Sequence, residues 1–234
     1  MMSTRCALLL ALFVLAASPA EAQLDRLLRL PNVGASDAKI GDGLKEALQV
    51  GTEKAVSLTG QTDGYFANTL IKILMPESLR TVERGLRVVG QGERVDEFVL
   101  SMNRAAERAA PAAKNIFWDA IAGMTIDDGR NILQGSNTAA TDYFKQKTTE
   151  KLTAAFGPVV SSAMDEVGVT RQYKELVGAA QALPFVNVQS LDLDRYVVGK
   201  ALDGLFVVVG QEEQQIRTNP AARVTPLLKE VFSR

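Results

Sequence analysis

Between residues 36 and 60 the apolar positions recur at helical spacing, with Ile40, Leu44, Ala47, Leu48, Gly51, Ala55 and Leu58 on one face. Ser36 offers an N-cap for this segment, and the turn-rich stretch from Gly60 to Gly64 closes it. The same period returns from about Glu93 to Ala110, where Val95, Phe98, Val99, Met102, Ala105, Ala106 and Ala109 align. From about Asp192 to Thr218, Val197, Val198, Ala201, Leu202, Leu205, Phe206, Val208 and Val209 cover more than half the circumference, which predicts a helix at the centre of a bundle. Shorter helical patterns run over 23–30, ended by Pro31 and Gly34, and over 76–89, with Pro76 in the first turn and Gly90 and Gly92 closing it. Others follow Pro111, the cap Thr125, and the Gly135 to Asn137 turn, the last reaching about Val167 with a bend at Pro158. Two more helices are expected over "GVTRQYKELVGAA" and "VTPLLKEVF", with a loop at "LPFVNVQSL" between the first and the long helix.

One stretch departs from this period. "TLIKILMP", Thr69 to Pro76, alternates imperfectly and stops at proline, so it reads as extended chain with at most one short strand near residues 70–74. The expected fold is therefore all-α, a single-domain multi-helix bundle. No period of roughly 20–50 residues repeats, which argues against a solenoid.

The first residues change the picture of where the chain works. Arg5, the short apolar run "ALLLALFVLAA" from Ala7 to Ala17, and "SPAEA" form the three parts of a secretory signal. Residues 1–22 are expected to be removed after Ala22, leaving 23–234 as one helical domain in the periplasm or outside the cell. The apolar run is shorter than a bilayer span, and no later stretch approaches the roughly 18 apolar residues that a transmembrane helix needs. Cys6, the chain's one cysteine, lies within that leader. Stability after export must then come from packing, with no disulfide to help.

Composition excludes several chemistries. The chain has 26 Lys+Arg, 27 Asp+Glu and no histidine. The leader takes one base, Arg5, and one acid, Glu21, and the remaining charges are interspersed, so there is no electrostatic footprint for nucleic acid. Without histidine or a cysteine after the leader, Ser-His-Asp and Cys-His nucleophiles and the usual zinc sites are ruled out. No metal, cofactor or catalytic residue is assigned. Catalysis would have to rest on carboxylates, lysine, tyrosine or a Ser-Lys pair, and a protein that is not an enzyme is favoured.

Three constellations remain. Around the helix from Thr138, Ala139, Ala140, Tyr143 and Phe144 share a side with Lys147, so the lysine is either an anion hook in a low-dielectric groove or a stem packed on aromatics with its ammonium in water. Asn103, on the edge of its apolar face, and Glu107, four residues on, could orient a polar ligand group together or satisfy a neighbouring helix end. Glu213 and Arg217 have the spacing of an i,i+4 ion pair, acid first, and would fix the last long helix against the tail that follows. Asp203, in an apolar stretch, belongs at a boundary or opposite a base. "DLDR" and "TIDDG" lack the calcium-loop pattern and read as helix caps.

The order of "GLKEAL", "MNRAAE", "MTIDDGRNIL", "GSNTAATDYFKQKT", "ALDGLF" and "EEQQIRTNPAARVTPLLKEVF" resembles a bacterial exported family catalogued as domain of unknown function 4197. The resemblance runs over the whole chain after the leader and implies an all-helical exported protein with no assigned activity, so no catalytic residue carries over. Gly129 stands where alanine is expected after the acids of "MTIDD". Two functions fit the residues. One is a binding module for a small amphipathic or acyl-chain ligand, with Asn103, Glu107, Tyr143 and Lys147 around its groove. The other is a structural or protein-interaction component of the cell envelope.

Overall fold

The computed structural model describes residues 33–166, 168, 171–175, 178 and 192–223, and every regular element among them is helical. The expected leader, the helix over 23–30, the loop from Leu183 and the closing helix from Val224 lie outside the described residues. Among the described residues seven helices can be given bounds: α1 (Val33–Gly60), α2 (Arg80–Val88), α3 (Gly92–Ala109), α4 (Ala113–Ala122), α5 (Ile126–Gln134), α6 (Ala139–Glu166) and α7 (Leu193–Thr218). The described residues from 38 onward belong to one compact unit.

The helix boundaries follow local chemistry. Pro111 lies in a 3-10 turn, Ala110–Ala112, that joins α3 to α4, because its ring and missing N–H cannot continue the α3 ladder. Thr125 caps α5 through a reciprocal box in which its hydroxyl accepts from the Asp128 amide while the Asp128 carboxylate accepts from the Thr125 amide. Asp192 caps α7 by accepting from the Arg195 amide. α1 begins at Val33, so Ser36 lies inside it rather than capping it, and Gly34 does not end a helix. Pro158 sits within α6, which continues through it to Glu166.

The core is built where the periodicity places it. Leu44, Ala47, Leu48 and Ala55 of α1 are buried, whereas Leu58, expected on the same face, is turned to solvent in the last turn. The seven apolar positions aligned on α3 are all buried, as are the eight aligned on α7, while Leu100 and Val207 lie outside those faces. α6 and α7 share the broadest helix interface, and α6 also packs on α3, α4 and α5, so the hub is α6 while the widest apolar face belongs to α7. Phe117, Phe144 and Phe206 meet edge to face at the join of α4, α6 and α7.

No strand forms over 69–76, yet the alternation is real. Ile71, Ile73 and Met75 are buried while Leu70 and Leu74 are exposed. The Asn103 side chain supplies what a neighbouring strand would have given: its carbonyl oxygen accepts from the Ile73 amide and its NH2 donates to the Ile73 carbonyl, both at 2.8 Å.

Candidate functional site

The non-helical segment 61–76 crosses α3 and α7; turn hydrogen bonds, such as the Ala67 amide to the Asp63 carbonyl and the Lys72 amide to the Asn68 carbonyl, organise it internally, and side chains fix it to the two helices. Two consecutive amides, Tyr65 and Phe66, donate to Glu107 Oε1 at 3.1 and 3.2 Å. They are presented together because the backbone turns sharply at Asp63, which adopts a left-handed φ of 66°, making a small anion-binding concavity that Glu107 fills. Arg104, one turn back on α3, binds the other Glu107 oxygen at 2.6 Å and reaches Asp63 at 2.7 Å. These carboxylates hold the Arg104 guanidinium above its ordinary pKa, Glu107 contributing most.

The far side of the segment is fixed to α7. Tyr65 is buried and donates its hydroxyl to the Ala201 carbonyl at 2.6 Å. Burial, and then the nearby Glu107 carboxylate, push its phenol far above the normal range, so it stays protonated and keeps the proton it donates to Ala201. Gly204 makes the approach possible: a Cβ there would stand 2.7 Å from the Tyr65 ring and 3.0 Å from Ile71 Cβ. Tyr196, one helical turn before Lys200, donates to the Leu74 carbonyl at 3.0 Å. Its phenol is also raised, chiefly by burial, with Arg80 opposing and Glu77 adding.

Between residues 70–80 and α7 this arrangement leaves a cleft of about 330 Å³. Ile71, Met75 and Gly204 form the buried part of its lining. Leu70, 69% exposed, joins Leu74 and Val207 as solvent-facing apolar lining, and Lys72, Arg80 and Lys200 bring positive charge to it. Glu77 pairs with Arg80 at 2.8 Å, and Asp203 with Lys200 at 3.4 Å, so Asp203 lies at the surface opposite a base.

The residues singled out from the sequence are not brought to one groove. Asn103 and Glu107 are buried, and their polar atoms are engaged by the segment 65–73, Arg104 and the Val99 carbonyl. They stand behind one wall of the cleft rather than on its surface. Tyr143 is half-buried on α6 and donates to the Ala120 carbonyl at 3.2 Å. Burial, with Asp128 adding, raises its phenol. Lys147 is exposed, its ammonium 5.9 Å from the Tyr143 ring centroid. The Glu213 and Arg217 side chains pair at 2.9 Å on α7, and their target is the start of α6: Glu213 accepts from the amides of Ala140 and Thr141 and from the Thr141 hydroxyl, while Arg217 donates to the Ile132 carbonyl. The tail expected to be fixed by this pair lies, beyond Arg223, outside the described residues.

Lys72, Tyr196 and Lys200 were not singled out from the sequence. The signal that could have found the cleft is the outward pair Leu70 and Leu74 flanking Lys72 in the one segment that breaks the helical period. Among the described residues no buried side-chain nitrogen or oxygen lacks a partner, no group of three or more metal-ligating side chains clusters, and no helix is long and apolar enough to cross a membrane.

A family described as "Protein of unknown function (DUF4197)" matches residues 34–233, and the chain belongs to it. No curated protein and no solved structure matches the chain.

Proposed function

We propose that this member of the family is an exported binding module that takes a small amphipathic ligand in the cleft between residues 70–80 and α7. The observation that carries the reading is the coincidence, in one concavity, of three exposed apolar side chains with three cations. Ligand sites are concave, mostly apolar and edged by a few polar groups, and the cleft's volume lies at the low end of their range. Its geometry is preorganised, since Glu107, Asn103, Tyr65 and Tyr196 fix the segment that forms one wall. The leader over residues 1–22 would deliver the protein to the periplasm or beyond.

The test is thermal unfolding of the purified protein with a panel of single-chain amphiphiles below their micelle concentrations, alongside native mass spectrometry of protein taken from its own cells. Ligand-dependent stabilisation, lost when Val207→Glu closes the apolar rim, is the expected result. No shift across the panel and no co-purified mass overturns the reading. A second reading, a structural or interaction component of the envelope, draws on Val88 and Val89, which are exposed beside the turn at Gly90. A photo-crosslinker at position 88 that captures one defined envelope protein in intact cells favours it over the first.

A further inference from the structure

We infer that the cleft selects an anionic amphiphile, one short chain ending in a carboxylate or other small anion, with the head on Lys72 and Lys200 and the chain along Leu70, Leu74 and Val207. This rests on the reading of the cleft as a ligand site and adds the chemistry of what it takes. Among its lining residues three cations face two acids, in a chain whose formal net charge is −1. The cations are not equally committed. Arg80 is engaged by Glu77 at 2.8 Å. Lys200 meets Asp203 at 3.4 Å within its own exposed helix face, an interaction that an incoming anion can displace. Lys72 has no carboxylate partner among the described residues; its ammonium lies 3.8 Å from the centroid of the Phe66 ring, which the Arg104 guanidinium also approaches, at 5.8 Å. Lys72 is half-buried as a residue, and an ammonium placed over an aromatic ring is oriented in advance and keeps donors free for an anion.

The remainder of the cleft discriminates by what it withholds. The Tyr196 hydroxyl is occupied by the Leu74 carbonyl, and no buried side-chain polar atom among the described residues is unpartnered, so a neutral polar ligand finds few hydrogen-bonding groups to match. A cationic amphiphile would set its charge against Lys72 and Lys200. The cleft is concave around about 330 Å³, with apolar side chains set among charged ones, which suits a single short chain with a charged head rather than a flat lipid surface.

Isothermal titration with decanoate and decyltrimethylammonium below their micelle concentrations, and decanol below its solubility limit, tests this on the unmodified chain. Decanoate should bind at least about tenfold more tightly than the cationic probe, because the first forms charge-assisted hydrogen bonds where the second meets repulsion. In the Lys72→Glu/Lys200→Glu variant the order should reverse, while Lys151→Glu, a charge change on the exposed side of α6, should leave it intact. Lys200→Glu alone, on an exposed helix position, keeps the comparison available if the double variant does not fold. Equal affinity for the three probes overturns the anion inference and leaves the amphiphile reading standing. Binding of none of them overturns both. A response to anionic vesicles but not to monomeric decanoate also overturns it, in favour of adsorption to a membrane surface.

Discussion

Glu213 and Glu107 carry the same chemistry to two different kinds of backbone. Each is almost fully buried, with side chains 7% and 4% exposed, each accepts from two consecutive main-chain amides, and each is paired with an arginine one helical turn away. Glu213 meets the N-terminus of α6, where amides left without intrahelical partners already favour an anion. Glu107 meets Tyr65 and Phe66, whose amides converge only because the chain turns at Asp63. A helix end is organised by its own ladder and needs only a cap. The segment 61–76 has only isolated turn bonds of its own, so Glu107, Asn103 and Tyr65 fix where it lies on the helices, and that is the segment that walls the cleft. In this protein buried polar groups stabilise the fold at one end and shape a surface at the other.

The largest effects should separate these roles. Glu213→Ala leaves the Ala140 and Thr141 amides and a nearly buried Arg217 without their anion, a loss of about 3–5 kcal/mol by urea unfolding. Glu107→Ala should cost less, about 2–4 kcal/mol, because Arg104 keeps Asp63 and reaches water, so the loss falls mainly on the two amides. Hydrogen exchange should show the second difference: amides of 65–73 lose protection out of proportion to global stability in Glu107→Ala, and not in Glu213→Ala. A larger global loss for Glu107→Ala, or uniform loss of protection in both, would break the comparison.

A pair of glycines on α7 sharpens it by steric means. A methyl at Gly204 would sit 2.7 Å from the Tyr65 ring, where the segment is pinned and cannot withdraw, so Gly204→Ala should destabilise by about 1–3 kcal/mol. Six residues on, a methyl at Gly210 meets Thr141 atoms at 3.6 and 3.8 Å, ordinary contact distances, so Gly210→Ala should gain about 0.5–1 kcal/mol from helix propensity. Thermal melts of the two variants decide it. Equal signs would mean that the close approach of Tyr65 to α7 is not a fixed feature.

How far each region is legible in the sequence follows from the range of its contacts. The apolar faces of α3 and α7, and the Glu213 and Arg217 spacing, are set by a local period and can be read directly. Asn103 and Glu107 are visible as polar residues on an apolar face, but their partners lie 30 and 41–42 residues away, in a segment that does not follow the helical period. The alternation of 69–76 hints at a strand because inward and outward side chains alternate there, although residues 69–71 form a hydrogen-bonded turn and not the extended chain expected. What it cannot reveal is that a side-chain amide replaces the second strand. Lys147 is misleading for the opposite reason: at 100° per residue it falls near Tyr143 and Phe144, yet the buried line of α6 runs through Ala140, Phe144, Thr148 and Leu152, which leaves Lys147 outside it.

Lys147→Met therefore carries the smallest expected effect, and it tests whether anything beyond the two carboxylate nodes depends on this face. The ammonium is exposed at 5.9 Å from the Tyr143 ring, so it gives up little hydration and gains a weak attraction. Stability at neutral pH should change by less than about 0.5 kcal/mol, the ordinary range for a surface substitution. The second readout is Asp128. Its carboxyl is held below its ordinary pKa first by the Thr125 hydroxyl, then by the Thr125 amide, and least by Lys147. A depressed carboxylate pKa contributes stability above its unfolded value of about 3.9 that is lost as the pH falls through the folded value. In Lys147→Met an NMR titration should find the Asp128 pKa slightly raised and still below its ordinary value, with acid unfolding beginning at nearly the same pH. Thr125→Ala, which removes the leading cause, should raise it further and move that onset upward. If Lys147→Met shifted stability by several kcal/mol instead, the lysine would be pairing with a buried acid, and a third polar node would have to be added beside Glu107 and Glu213.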